Sequence, residues 1–450
     1  MQADGIDRFV ATHRRSKELW ERALRVSRGV HHDARFALPF PIYTSRAMGS
    51  RKWDVDGNEY IDYSMGHGSL MLGHAHPALV EAVSRQVVKG THYGTENEAA
   101  VEWAELICGM VPAAERVEFV LSGTEANTLI TQLARAYTGR HKIIKFAQHF
   151  FGWSDHMHVG VVAPFDEPIA GRLPPFYMDA VSEGTVVIPC NDAAAMEKVL
   201  KKREAAALFI EGGGAKAGGI HVPPELVQLA RRLTERYGTL LVIDEVISGF
   251  RWSPGGYQAT VGVTPDLSSL GKIVCGGLGG GAAVAGRAGV MDRLKIRPGE
   301  AEWNRNRRVV HPGTWNANPL NSAAGVAMLK IVAQGEVQKT AETSAIRLAD
   351  GMNRKIEERG IEGCVYNSSS VIHLYFGKCR KCDRTVCLDA AKSMPPETVH
   401  ALNRCLLLSG VSLLRGAIGW VSAVHTDEDI DRTIEAFGAA LGDMAAEGVV

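Results

Sequence analysis

A carboxylate at the end of a buried strand and a lysine in a tight turn beyond it carry the most specific chemistry in this chain. Leu240-Leu241-Val242-Ile243 is a β-branched and aliphatic run that ends in Asp244 and Glu245, as a buried strand does. Further on comes Ser269-Leu270-Gly271-Lys272, followed by the glycine-rich Cys275-Gly276-Gly277-Leu278-Gly279-Gly280-Gly281. An acid and a lysine in this arrangement read as a site for pyridoxal 5'-phosphate. The lysine forms a Schiff base with the cofactor aldehyde, and the acid keeps the pyridine nitrogen protonated so that the ring takes up electrons. Lys272 also has to carry a proton, which asks for a lowered pKa; the cationic ring nearby would provide it. Val246, two positions beyond Asp244, is expected on the same face and against the ring, although an ordinary core valine would read the same.

The phosphate needs donors of its own. Ser122-Gly123-Thr124 stands at the start of a helical pattern. Free N–H groups and the positive end of a helix dipole suit a phosphate dianion there, and the same residues would equally serve as a plain N-cap. The glycine run 276–281 is not a nucleotide loop, because it lacks the Lys-Ser/Thr of a P-loop.

Three stretches resemble one family. Asp244-Glu245-Val246-Ile247-Ser248-Gly249-Phe250 is similar to the D-E-V-x-x-G-F stretch of class III aminotransferases. Leu121-Ser122-Gly123-Thr124-Glu125-Ala126-Asn127 is similar to their S-G-T-E-A-N phosphate loop. His311-Pro312-Gly313-Thr314-Trp315-Asn316-Ala317-Asn318-Pro319 is similar to their H-x-G-T-x-x-x-N-P segment. The resemblance runs from about residue 30 to about residue 440 and is strongest to the glutamate-1-semialdehyde aminomutase and β-amino-acid aminotransferase branch. It implies a fold-type-I pyridoxal-phosphate transferase: an α/β protein whose mostly parallel central sheet is flanked by helices, with a smaller α+β domain built from both termini. It implies that Thr314 reaches the phosphate bound by a partner subunit, so that the functional unit is a homodimer with shared active sites. Phe150 takes the place of the family tyrosine that stacks on the ring; stacking needs only a flat aromatic face. Glu211 matches the glutamate of an E-P motif whose proline is here Gly212, and is expected on the 3-hydroxyl side of the ring.

Arg35 stands where the branch has an N-terminal substrate arginine, and Arg415 where some β-amino-acid aminotransferases have a movable one. Guanidinium suits bidentate carboxylate binding, but arginines are also common surface residues. The expected reaction is transfer of an amino group from an amino acid or amine to a 2-oxo acid, by a ping-pong route. The alternative is an aminomutase or epimerase of the glutamate-1-semialdehyde type. Mutases carry a glutamate just after the Arg415 position, and Gly416-Ala417-Ile418-Gly419-Trp420 holds no acid, which favours transamination. A binding protein that merely kept the fold is opposed by the joint presence of Lys272, Asp244 and the phosphate loop.

The elements that must position these residues follow from periodicity. Helical spacing covers 16–28, and a hairpin turns at Asp56-Gly57. A helix follows His76-Pro77, and another spans 97–110. Strands are expected at 117–121, 142–146, 186–189, 207–211 and 239–246, with helices at 124–137 and 225–237. Strands alternating with helices imply a parallel sheet with ligands at the carboxyl ends of its strands. Helices at 320–333 and 337–359, a strand at 371–376, a helix at 397–409 and a closing helix from 428 complete the chain. The expected division is 1–75 as part of the small domain, 76–333 as the large cofactor domain and 334–450 as the rest of the small domain.

Composition excludes several classes. Lys plus Arg number 50 and Asp plus Glu number 50, so no net field draws nucleic acid or an anionic membrane. No apolar run reaches the ~18 residues of a membrane span. Met1-Gln2-Ala3-Asp4 has neither the basic start nor the apolar core of a signal peptide, and a cytoplasmic protein is expected. Cys379, Cys382 and Cys387 suggest a zinc knuckle completed by Cys364 or Cys405, or else plain thiols; no metal is assigned.

Overall fold

The computed structural model describes residues 5–32, 39–161, 178–377, 394–414 and 416–450. The chain forms two compact units, Ala78–Gly335 and Met1–Pro77 with Glu336–Val450.

A seven-stranded sheet organises the first unit. Its spatial order is Arg116–Val120, Ala282–Gly286, Leu267–Leu270, Leu240–Glu245, Ala205–Glu211, Lys142–Phe146, Thr185–Ile188. All pairings are parallel except those of Ala282–Gly286, which runs antiparallel to both neighbours. Two strands, Leu267–Leu270 and Ala282–Gly286, were not among those expected. One carries two serines and the other is mostly alanine and glycine, so neither has the β-branched signature of a strand.

Both faces of this sheet are covered, and strand parity decides what each face receives. Ile143, Phe209 and Val242 pack on one face with Ala126, Leu129, Ile130 and Leu133 of the helix Gly123–Thr138. Ile144, Leu208, Ile210, Leu241 and Ile243 pack on the other with Val227, Ala230 and Leu233 of the helix Pro224–Tyr237. Alternation therefore turns Asp244 toward the Gly123 helix and Glu245 away from it. On that far side Glu245 is bound by Ser248 Oγ and by the backbone N–H groups of Tyr257 and Gln258. Register sets Glu211 and Ser269 level with Asp244 on either side of it.

Two further helices hold the turn that follows Leu270. Trp103, on Glu98–Met110, is fully buried, and its indole N–H donates to the Val274 carbonyl at 2.9 Å. Gly325, on Pro319–Val332, lies flat against that indole; a Cβ there would stand 2.3 Å from Trp103 Nε1.

In the second unit the termini share one sheet. Thr44–Met48, Arg51–Asp54 and Glu59–Asp62 form antiparallel hairpins, and Val411–Ser412 adds in parallel to Glu59–Asp62. A three-stranded sheet of Gly363–Ser368, Val371–Phe376 and Ile418–Trp420 packs with Glu336–Glu358, Pro396–Leu408 and Asp427–Ala446. Asp62 is buried and accepts from Lys52 at 2.9 Å and His74 at 2.8 Å, which hold its carboxyl well below the usual range against the effect of burial.

The Gly325 contact gives a first prediction. Gly→Ala in an ordinary helix interior gains up to about 1 kcal/mol. Here Gly325→Ala must displace Trp103 and is expected to cost about 1–3 kcal/mol in urea unfolding, with a red-shifted tryptophan emission. An unchanged or increased stability would show that Trp103 does not clamp the Val274 turn.

Candidate active site

The site is built at the carboxyl ends of neighbouring strands. Asp244 is fully buried. Its Oδ1 accepts from the Val246 N–H at 2.8 Å, and its Oδ2 accepts from Asn127 Nδ2 at 2.6 Å. Burial pushes its carboxyl upward, while those donors and the Lys272 amine oppose the shift. Lys272 opens the short 3-10 turn Lys272–Cys275 directly after Leu267–Leu270. Its backbone is left-handed, with φ +50°, a conformation that costs a non-glycine residue roughly 1–3 kcal/mol and is retained where the surroundings demand it. The residue is half-buried while its amine lies enclosed. That enclosure depresses its pKa, against the pull of Asp244 and Glu211 and with some help from Arg251. The lowered lysine expected from sequence is thus present in the protein alone, and burial is its main cause.

The helix Gly123–Thr138 begins beside this pair. Ser122 Oγ caps it by accepting from the Glu125 N–H at 3.2 Å, and Glu125 in turn accepts from the Leu121 N–H at 2.7 Å. The N–H groups of Gly123 and Thr124 lie in the first turn, where an α-helix has no internal acceptors for them. The capped helix start therefore has the donors that an anion site requires. Val246 fills the space between this helix start and the lysine turn. Cβ atoms at Gly123 and Gly271 would stand 2.8 Å and 3.1 Å from its methyl carbons. It lies just past the end of the Leu240–Glu245 strand and is half-buried.

Phe150 and Phe151 divide the work expected of one aromatic position. Phe150 is 46 % exposed, whereas Phe151 is 1 % exposed and belongs to the core. The loop carrying them is pinned at both ends. Gly152, with φ +102°, lies against Thr124, whose Oγ1 would be 2.5 Å from a Cβ. The Phe150 N–H donates to Glu211 at 3.1 Å. Glu211 also accepts from the N–H groups of Ala217 at 3.0 Å and Lys216 at 3.3 Å, and burial raises its pKa to about 7 despite these donors.

Sequence reasoning passed over several buried polar neighbours. Asn127 is the last residue of the phosphate-loop motif, four positions from Gly123 and hence on the sheet-facing side of the helix. Lys145 interrupts the apolar strand Lys142–Phe146; its amine donates to the Met157 carbonyl, and burial lowers its pKa to about 7. His149 accepts from the Glu211 N–H at 2.9 Å, and burial takes its pKa down to about 3. A lysine and an asparagine on faces that are otherwise apolar were the available signals.

Thr314 is exposed on the segment leading to Pro319–Val332, and His311 at the start of that segment binds Glu118 at 2.9 Å. Arg35 and Arg415 lie outside the described residues, as do Cys379, Cys382 and Cys387. Cys364 is half-buried and Cys405 is buried. Among the described residues, no group of three or more His, Cys, Asp or Glu is placed to hold a metal.

The site therefore offers four things together: a helix start for a dianion, a buried carboxylate, an enclosed lysine of depressed pKa and an exposed flat ring. Comparison with known proteins agrees. A glutamate-1-semialdehyde 2,1-aminomutase of Methanopyrus kandleri is 36 % identical over 431 residues, covering 95 % of this chain and 97 % of that protein. Among solved structures, an omega-transaminase from Sphaerobacter thermophilus is 30 % identical with a TM-score of 0.86, covering 96 % of this chain and 98 % of that one. A β-phenylalanine aminotransferase from Variovorax paradoxus is 28 % identical with a TM-score of 0.83, covering 99 % and 97 %. The aminotransferase class-III family model matches residues 33–362, and the chain belongs to the class III aminotransferases.

Proposed function

We propose that the protein is a pyridoxal-phosphate enzyme that moves an amino group within one small substrate, an aminomutase of the glutamate-1-semialdehyde type. The observation that carries the cofactor assignment is the meeting of Asp244 and Lys272 at adjacent strand ends, with Val246 between them and the Gly123 helix start. The residues fit this group: the donor set has one place each for a dianion, a protonated ring nitrogen and an aldehyde. When bound, pyridoxal phosphate supplies an aldehyde that takes up amines and a ring that draws electrons from the amine-bearing carbon. Ser122, Gly123 and Thr124 hold its phosphate. Phe150 and Val246 hold the two ring faces, Asp244 holds the proton on the ring nitrogen, and Glu211 keeps the Phe150 loop in place. Lys272 holds the aldehyde and then, as an amine of depressed pKa, takes a proton from one carbon and returns it to another.

The choice between mutase and transaminase rests on the full-length relatives. Transamination was the first expectation from sequence, and the aminomutase relative reverses that order. Transamination stays as the second reading, favoured by the lack of an acid at 416–420 and by likeness to two transaminase structures. In either case Arg35 and Arg415 are the proposed carboxylate binders. The proposed unit is a homodimer in which Thr314 reaches the partner's phosphate site; exposed Val310 and Trp315 beside it supply apolar surface for such a contact.

Three measurements test this reading. Borohydride reduction of the cofactor-loaded protein followed by peptide mapping is expected to find the label on Lys272, and Lys272→Ala is expected to fold but not turn over. A label on another lysine would remove the assignment. Glutamate-1-semialdehyde supplied alone is expected to give its 1-amino-2-oxo isomer; turnover only with an added amino donor and oxo acid would establish the second reading instead. Sedimentation is expected to show a dimer, with Thr314→Ala weakening cofactor binding by about tenfold, as loss of one hydrogen bond to a charged group does. A fully active monomer would refute the shared site.

A further inference from the structure

Asn127 occupies a place that neither the cofactor assignment nor the substrate reading explains. It is 1 % exposed. One amide hydrogen goes to Asp244 Oδ2 at 2.6 Å and the other to the Phe151 carbonyl at 3.1 Å. Its own Oδ1 is buried with no hydrogen-bond partner among the described residues. Two acceptors on one side fix the amide orientation, since the flipped form would set oxygen against oxygen at both contacts. The Phe151 carbonyl belongs to the loop that presents Phe150, and Gly152 and Glu211 fix the rest of that loop.

We propose that Asn127 is a positioning residue that holds the Asp244 carboxylate and the Phe150 loop at one fixed spacing, so that acid and aromatic grip a cofactor ring as a unit. Two independent contacts converge on it. With the Val246 N–H on Oδ1 and Asn127 on Oδ2, the carboxylate has a donor on each oxygen and cannot rotate. The residue supplies a neutral donor, which supports the ionised form of a buried acid without adding a second charge. The inference rests on the pyridoxal-phosphate reading and says how the ring is held.

The test uses the full-length protein freed of cofactor, titrated with pyridoxal phosphate and followed by visible absorption and tryptophan quenching. Asn127→Leu is expected to raise the dissociation constant by about ten- to a hundredfold, the range for losing a hydrogen bond to a charged group. In an Asp244→Asn background the same change is expected to have a clearly smaller effect, because the Asp244 contact is already altered and only the Phe151 contact is left to lose. Asn127→Asp keeps the size and serves if the leucine variant does not fold. It sets two carboxyls in hydrogen-bond contact that must share a proton, so binding is expected to depend on pH more steeply than in the parent. Additive losses in the double variant, or an Asn127→Asp profile parallel to the parent's, would make Asn127 an ordinary packing residue. Failure of the parent itself to bind pyridoxal phosphate would instead overturn the cofactor assignment.

Discussion

A carboxylate buried at the end of an apolar strand sets the terms for everything around it. Asp244 ends a buried strand on the sheet face that carries Val242, Phe209 and Ile143, and a lone charge there is costly by several kcal/mol. The surroundings respond with a turn that offers the Val246 N–H, a helix that offers Asn127 and a following strand that delivers Lys272. Each response also builds part of the site. The helix that brings Asn127 brings its own N-terminus, and the strand that brings Lys272 needs the turn clamped by Trp103. Burial raises the acid and lowers the base, and the attraction between them opposes both shifts.

Much of this was legible because it depends on local pattern. The strand ending at Asp244 shows in its aliphatic run, and the helix behind Ser122 shows in its cap and period. The left-handed backbone of Lys272 leaves no trace in a single sequence, and the strand Ala282–Gly286 is too poor in β-formers to announce itself. The contacts made by Asn127, Trp103 and Lys145 join segments far apart in the chain. Their residue types hinted that something polar was buried, but the partners could be found only once the sheet was assembled. Of the two adjacent aromatics, the family resemblance singles out Phe150, and the structure exposes that residue and buries Phe151.

Part of the backbone strain lies here: among the described non-glycine residues with positive φ, Gln148 precedes the aromatic pair, Phe250 follows the Asp244 strand and Lys272 opens the lysine turn. Glu211 and Glu245, on opposite faces, each collect several backbone N–H groups from turns of this kind. Two buried carboxylates thus act as anchors for irregular backbone, while Asp244 accepts from the Val246 N–H and the Asn127 amide.

The antiparallel strand has a consequence for how the chain reaches its native state. Arg116–Val120, which leads into the Gly123 helix, sits at the sheet edge with Ala282–Gly286 as its sheet neighbour. That neighbour emerges from the ribosome long after the edge strand does. Until it arrives, the edge strand lacks its sheet neighbour, and the helix it leads into is held by the packing of Ala126, Leu129 and Leu133 on the parallel strands. Pairings between such distant segments close late and slowly, and the exposed sheet edge is meanwhile open to wrong partners. The edge strand Arg116–Val120 should therefore be among the last parts of the first unit to pair during synthesis.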